Sequence, residues 1–243
     1  MRLVAWNCAM ALHKKLDALM ALEPDVAVVC ECAEPERLRQ RSGTRALPGN
    51  PVWIGSNPNK GLAIFAFNGY RASLQDIYDP RFTLIAPVRI EGRNPFNLLA
   101  VWALNFKAGT RRKAYPGPVR AAIAKYTDFL SHERTFVAGD FNNNVIWDKP
   151  GNLMNFETTL SDLDSKGLVS AYHARSGEAP GEESTPTHYW RDRKKDRNTY
   201  HIDYVFVPRH LLPRTRGPWV GSYEDWCGSD LSDHVPLTID VAF

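Results

Sequence analysis

The sequence predicts an α/β fold: mixed strands forming two sheets packed together, with helices on the outside. Three observations carry that prediction. Apolar runs of strand length recur from Leu3 to Val241. Segments with apolar residues at helical spacing stand between several of them. Many of the runs end on an acid or an amide, which is where a site built on a sheet would put its polar groups.

Arg2 to Asn7 reads as the first strand, ending on an amide. Lys14 to Leu22 reads as a helix, with Leu16, Leu19, Met20 and Leu22 at helical spacing and Glu23-Pro24-Asp25 to stop it. Val26 to Cys30 is a continuous apolar run, expected to be a strand buried on both faces and closed by Glu31. From Ala33 to Pro58 the pattern is irregular, with one short helix over Pro35 to Arg41. Gly61 to Phe67, Phe82 to Ile90 and Phe96 to Leu104 read as successive strands of an antiparallel meander. Pro118 to Leu130 carries helical spacing at Val119, Ala122, Ile123, Tyr126 and Leu130.

Phe136 to Ala138 reads as the end of a buried strand, and Gly139 as the residue that lets the backbone turn sharply after it. Asn155 to Leu163 reads as a helix ended near Gly167, and Leu168 to His173 as a strand. Ser176 to Thr187 is rich in Gly, Glu, Ser and Pro and reads as a mobile surface loop. Tyr200 to Val207 is a strand interrupted by Asp203 and stopped by Pro208; Val235 to Ala242 is the last. No internal repeat and no linker divides the chain, so residues 1–243 are expected to form one domain.

Composition narrows the function classes. Hydrophobic residues make up 44% and charged residues 23%, the balance of a soluble globular protein. No apolar run approaches a membrane span, and Arg2 passes directly into strand-like sequence, so a cytoplasmic protein without a membrane partner is expected. The four cysteines, Cys8, Cys30, Cys32 and Cys227, then suggest reduced thiols. Cys30-Glu31-Cys32 lacks the second Cys/His pair that a zinc site needs, and strand alternation sends both thiols to one face, into the core. A net charge of +3 does not announce a nucleic-acid binder. Two local clusters say more: Lys107, Arg111, Arg112 and Lys113, then Arg191, Arg193, Lys194, Lys195 and Arg197. Both sit in loop-like sequence where they can meet phosphates.

The polar interruptions are Asn7, Glu31, Asp140, Asn142, Asp203, Asp233 and His234. Carboxylates placed repeatedly beside core strands need a shared compensator, because burying them unpaired is costly. A divalent cation serves, and oxygen donors point to Mg²⁺ or Mn²⁺ rather than zinc.

Trp6-Asn7, Val29-Cys30-Glu31, Gly139-Asp140-Phe141-Asn142, His201-Ile202-Asp203-Tyr204 and Ser232-Asp233-His234-Val235-Pro236-Leu237 resemble, in this order, the motifs of the endonuclease/exonuclease/phosphatase superfamily. The match runs from Asn7 to His234, almost the whole chain. The resemblance implies a four-layer α/β sandwich with its site at one edge of the paired sheets, and a metal-dependent phosphoesterase. It implies that Glu31 holds the cation, joined by Asp233, with Asn7 orienting the metal or the phosphate. It assigns His234 to the scissile phosphate, Asp203 to His234, Asp140 to the attacking water and Asn142 to phosphate oxygens. Cleaving a phosphodiester needs that division, since phosphoryl charge must be offset while water attacks in line with the leaving oxygen.

Departures bear on the substrate. The middle strand reads Val101-Trp102-Ala103-Leu104-Asn105-Phe106, without the His of sphingomyelinase- and deoxyribonuclease-like members. Trp102 and Asn105 instead echo the aromatic-to-Asn spacing of exonuclease III-type members. Cys30 replaces the Gln that commonly precedes the metal Glu. Tyr115 beside Arg111, and Trp190 with His188 and Tyr189 beside the second basic run, are candidates for contacting substrate. The expectation is a monomeric nuclease acting on DNA, of endonuclease, exonuclease or apurinic-site type. The alternatives are a phosphatase or phosphodiesterase of a small phosphorylated metabolite or lipid headgroup, and a non-catalytic nucleic-acid-binding module.

Overall fold

A computed structural model describes residues 1–43, 51–104, 113–190, 195 and 198–243. In chain order its strands are β1 (Arg2–Asn7), β2 (Val26–Cys32), β3 (Val52–Asn57), β4 (Lys60–Ala66), β5 (Arg71–Leu74), β6 (Ile85–Glu91) and β7 (Phe96–Trp102). There follow β8 (Thr135–Asp140), β9 (Leu168–Ser170), β10 (His188–Tyr189), β11 (Thr199–Tyr200), β12 (Asp203–Pro208), β13 (Thr215–Val220) and β14 (Leu237–Val241). The helices are α1 (Leu16–Ala21), α2 (Pro35–Ser42), α3 (Pro118–Lys125), α4 (Thr127–Leu130), α5 (Phe156–Asp164), α6 (Ala171–Ser176) and α7 (Tyr223–Trp226). Among the described residues no helix is long and apolar enough to cross a membrane.

Two six-stranded mixed sheets form the frame, ordered β13-β14-β1-β2-β4-β3 and β5-β6-β7-β8-β12-β9. Each holds one parallel pair at its centre, β1 with β2 and β7 with β8, the other pairs being antiparallel. Alternation along these strands sorts the core into layers. Leu3, Ala5, Val26 and Val28 of the first sheet meet Leu98, Ala100, Phe136, Ala138 and Val205 of the second between the sheets. The opposite faces carry Val4, Trp6 and Val29 under α1, α2 and α7, and Val137, Tyr204 and Phe206 under α3, α4 and α5. Helices, sheet, sheet, helices: the architecture is the expected α/β sandwich.

Several elements differ from the sequence reading, each for a local reason. The expected meander is split between the sheets: β4 pairs with β2 and β3, while β6 pairs with β5 and β7. Leu168 to His173 is not one strand. β9 stops at Ser170, the N-cap of α6, and Gly177 closes that helix in the left-handed region. Thiols 30 and 32 do not share a face. The register shifts between Cys30 and Cys32, with Glu31 at φ 59°, so Cys30 enters the inter-sheet core and Cys32 the outer layer. Segment 176–187 is also more fixed than its composition suggests, with Thr187 fully buried and Glu178 bonded to Tyr172 and Ser184.

Candidate active site

Asn7, Asp140 and Asp203 continue the inner-face rows of β1, β8 and β12 beyond the last apolar residue, so alternation aims all three at the seam between the sheets. Asp140 and Asp203 are direct partners across the β8–β12 ladder. Asn7 crosses the seam and donates from Nδ2 to Asp140 Oδ2 at 3.0 Å. Its Oδ1 accepts from the Ala9 N–H at 3.1 Å, which fixes the amide's orientation.

Gly139 is required, though not by a turn, because β8 runs straight through it. A Cβ there would sit 1.9 Å from the Val101 carbonyl oxygen, and its φ is +138°. The close approach keeps β8 paired with β7 up to Asp140. The chain turns only after Phe141, where Asn142 adopts φ 47°. The Asn142 N–H donates to Asp140 Oδ1 at 2.8 Å, and its Nδ2 donates to Asp140 Oδ2 and to the Ala103 carbonyl, both at 2.9 Å.

His234 precedes β14. Its N–H reaches Ser232 Oγ, its carbonyl accepts from the Trp6 indole, and its Nδ1 lies 2.8 Å from Asp203 Oδ2. The other oxygen, Asp203 Oδ1, is buried without a hydrogen-bond partner. Asp233 and His188 extend the cluster, with Oδ2 and Nε2 3.8 Å apart and the His188 ring 4.3 Å from that of His234.

Burial and mutual repulsion set the protonation states. Burial, then the Asp203 charge, pushes Asp140 up to about 7 against the opposing effects of His234, Asn7 and Asn142. Burial works to lower His234, but the Asp203 charge and hydrogen bond and the other acids outweigh it and raise it to about 10. Asp233 is held well below the ordinary carboxylate range: burial opposes this, and His188 and His234 prevail. Burial lowers His188, favouring the neutral ring.

Asp140, Asp203 and His234 each bring a ligand atom within 4.8 Å of the others, as do His188, Asp233 and His234. Glu31 is half-buried in the β2 bulge, next to Cys30, whose ladder partner is Asn7. Among the described residues no side chain bonds to its carboxylate. Several acids, one orphaned buried carboxylate oxygen and a single compensating imidazolium make a donor set that fits a hard divalent cation. Cysteine does not enter it: burial pushes the Cys30 and Cys32 thiols well up.

The proposed substrate contacts separate. Trp102 is 3% exposed in the inter-sheet core, so its ring packs beneath the rim and is closed to stacking on a ligand. Tyr115 and Trp190 are 39% and 42% exposed. Trp190 lines an open cavity of about 300 Å³ with Asn142, Trp147, His188, Tyr200 and Ile202. The sequence does not single out Trp147, Tyr200 and Ile202 as ligand contacts: Trp147 lies in a segment without a motif, and Tyr200 and Ile202 read only as part of the strand that carries Asp203. Asn105, Arg111 and most of both basic clusters lie outside the described residues; Lys195 pairs with Glu224.

No family model and no curated protein matches the chain by sequence. Solved structures do match by fold. The 3'-5' exonuclease NExo from Neisseria meningitidis superposes with a TM-score of 0.68 over 100% of both chains at 17% identity. An AP endonuclease from Archaeoglobus fulgidus gives 0.70 over 100% of both at 15% identity. The AP endonuclease LMAP from Leishmania major gives 0.70 over 100% of this chain and 88% of its own, at 15% identity.

Proposed function

Given a chain with the fold of the exonuclease III-like endonuclease/exonuclease/phosphatase superfamily, we propose that it is a divalent-cation-dependent phosphodiester hydrolase acting on DNA, residues 1–243 working as one domain. The observation that carries this reading is the seam where Asn7 of one sheet bonds Asp140 of the other, beside the Asp203–His234 pair. Asp140, raised to about 7, is poised to take a proton from water near neutral pH. Asn7 and Asn142 orient its carboxylate, the Asn142 amide giving its two N–H groups to Asp140 and the Ala103 carbonyl rather than to phosphate oxygens. His234, kept positive by Asp203, donates from its free Nε2 to a phosphoryl oxygen. Glu31 and Asp233, with Asn7 beside them, would hold Mg²⁺ or Mn²⁺, which when bound neutralises charge on the phosphoryl group.

The aromatic walls of the 300 Å³ cavity suit a nucleotide beside the scissile phosphate. The same size also admits a small phosphoester, which keeps that second reading. A panel of abasic duplex, single-stranded DNA, RNA and small phosphoesters, assayed with each cation, separates the two. Cation-dependent DNA cleavage that stops in chelator is expected. Turnover of small phosphoesters alone would overturn the DNA assignment, and no turnover of any member would overturn the hydrolase.

A further inference from the structure

A carboxylate is buried behind the site, in a segment whose composition offers no reason for one. The side chain of Glu183 is 5% exposed although it belongs to the Gly-, Ser- and Pro-rich stretch between α6 and β10. Burying a charge in such a segment is costly unless several groups hold it. Its partners are specific. Both carboxylate oxygens accept from Asn144 Nδ2, at 3.1 and 3.2 Å, and Oε1 lies 3.0 Å from His173 Nε2. His173 is held in turn by Ser170 Oγ at 2.8 Å. Burial acts to raise this acid, but the His173 bond, backbone N–H groups and Asn144 hold it at about 2.

Asn144 is the link to the site. It lies two residues beyond Asn142, and the same Nδ2 is within reach of the His201 carbonyl at 2.9 Å and the Tyr204 hydroxyl at 3.1 Å. Its Oδ1 accepts from the Ile146 N–H at 3.0 Å. One side chain therefore ties the turn carrying Asn142 to the start of the strand carrying Asp203. Residues farther along the segment do the same for the dyad. His201 Nδ1 meets the Thr185 carbonyl at 2.8 Å. Thr187 Oγ1 accepts from the Ile202 and Asp203 N–H groups, both at 3.0 Å, and its carbonyl accepts from Val235, next to His234, at 2.9 Å.

We propose that Glu183 is a positioning residue: acting through Asn144, it fixes the turn that aligns Asn142 with Asp140, and segment 178–187 is a strap across the back of the site. The claim rests on the hydrolase reading for its consequence in turnover, and on geometry alone for its consequence in local order. Without the carboxylate, Asn144 keeps the His201 carbonyl and the Tyr204 hydroxyl but loses its tie to His173 and segment 178–187, and small displacements of groups aligned on a phosphate lower turnover steeply.

The test compares Glu183→Ala with Glu183→Gln, whose carbonyl still accepts from Asn144 and whose amide still donates to a neutral His173. Turnover is measured well below the melting temperature, and deuterium uptake is followed in peptides covering 141–147 and 135–139. For Glu183→Ala, kcat falls about tenfold to a hundredfold with KM little changed. Uptake rises in 141–147 and stays at the wild-type level in 135–139. Glu183→Gln restores both readouts most of the way. If Glu183→Ala does not fold, Glu183→Asp, which keeps the charge but withdraws it by about one bond length, takes its place with the same expectation. Unchanged uptake in 141–147, or equal losses in the Ala and Gln variants, would overturn the proposal. A wild-type protein inert on every phosphodiester would sink the hydrolase reading alone, because the uptake comparison needs no turnover.

Discussion

The two sheets are built to one plan and used differently. Read outward from their parallel centres, β14-β1-β2-β4 and β12-β8-β7-β6 have the same neighbours in the same senses. Asn7 and Asp140 end equivalent strands, and they bond to each other across the seam. His234 and Asp203 stand before or at the start of equivalent strands, and they pair as well. A repeat invisible in the sequence is thus present in topology, and the site lies where its halves meet. The difference lies in how each half departs from regular pairing. The first sheet bulges at Glu31 and turns a carboxylate out of the ladder. The second stays regular to its end, because Gly139 lets β8 lie against Val101. One half holds its acid half-buried in a bulge; the other buries Asp140 and raises its affinity for a proton.

Substitutions at these departures sharpen the contrast. Gly139→Ala has the largest expected effect on stability. Its Cβ meets backbone rather than a flexible side chain, so a loss of about 3 kcal/mol or more is expected from overpacking plus strain. Urea unfolding measures it, and a loss below about 1 kcal/mol would show that the close approach is not needed. Asn7→Ala has a smaller effect, seen in pH. The Asn7 hydrogen bond lowers the Asp140 pKa, so its removal raises that pKa further. The acid limb of the kcat profile then moves to higher pH by up to about one unit. A shift to lower pH would mean that Asn7 does not stabilise the Asp140 carboxylate.

What was legible in the sequence follows from burial. β1, β2, β7 and β8 are central strands, apolar along nearly their whole length, and were readable as runs. The edges were not. β3, β5 and β13 are largely half-buried or exposed and carry Ser, Arg, Gly or Pro, so no apolar run marks them. β9, the fourth edge, has three residues and merged with the helix after it. The site divides in the same way. Gly139-Asp140-Phe141-Asn142 and Ser232-Asp233-His234 are contiguous, because a strand end must carry its polar group at a fixed offset. The cavity walls and the Glu183 contacts come from segments that only the fold brings together. Trp102 misled for the opposite reason: its spacing suited a ligand contact, but its parity places it in the core.

The most direct test of the central claim is a double-mutant cycle between the sheets, Glu31→Gln against Asp140→Asn, on cation-dependent phosphodiester cleavage. If both halves act on one phosphoryl group, each single variant loses about 10³-fold in kcat, and the double variant loses little more than the worse single. Wild-type turnover in either single variant, or losses that simply multiply, would contradict it.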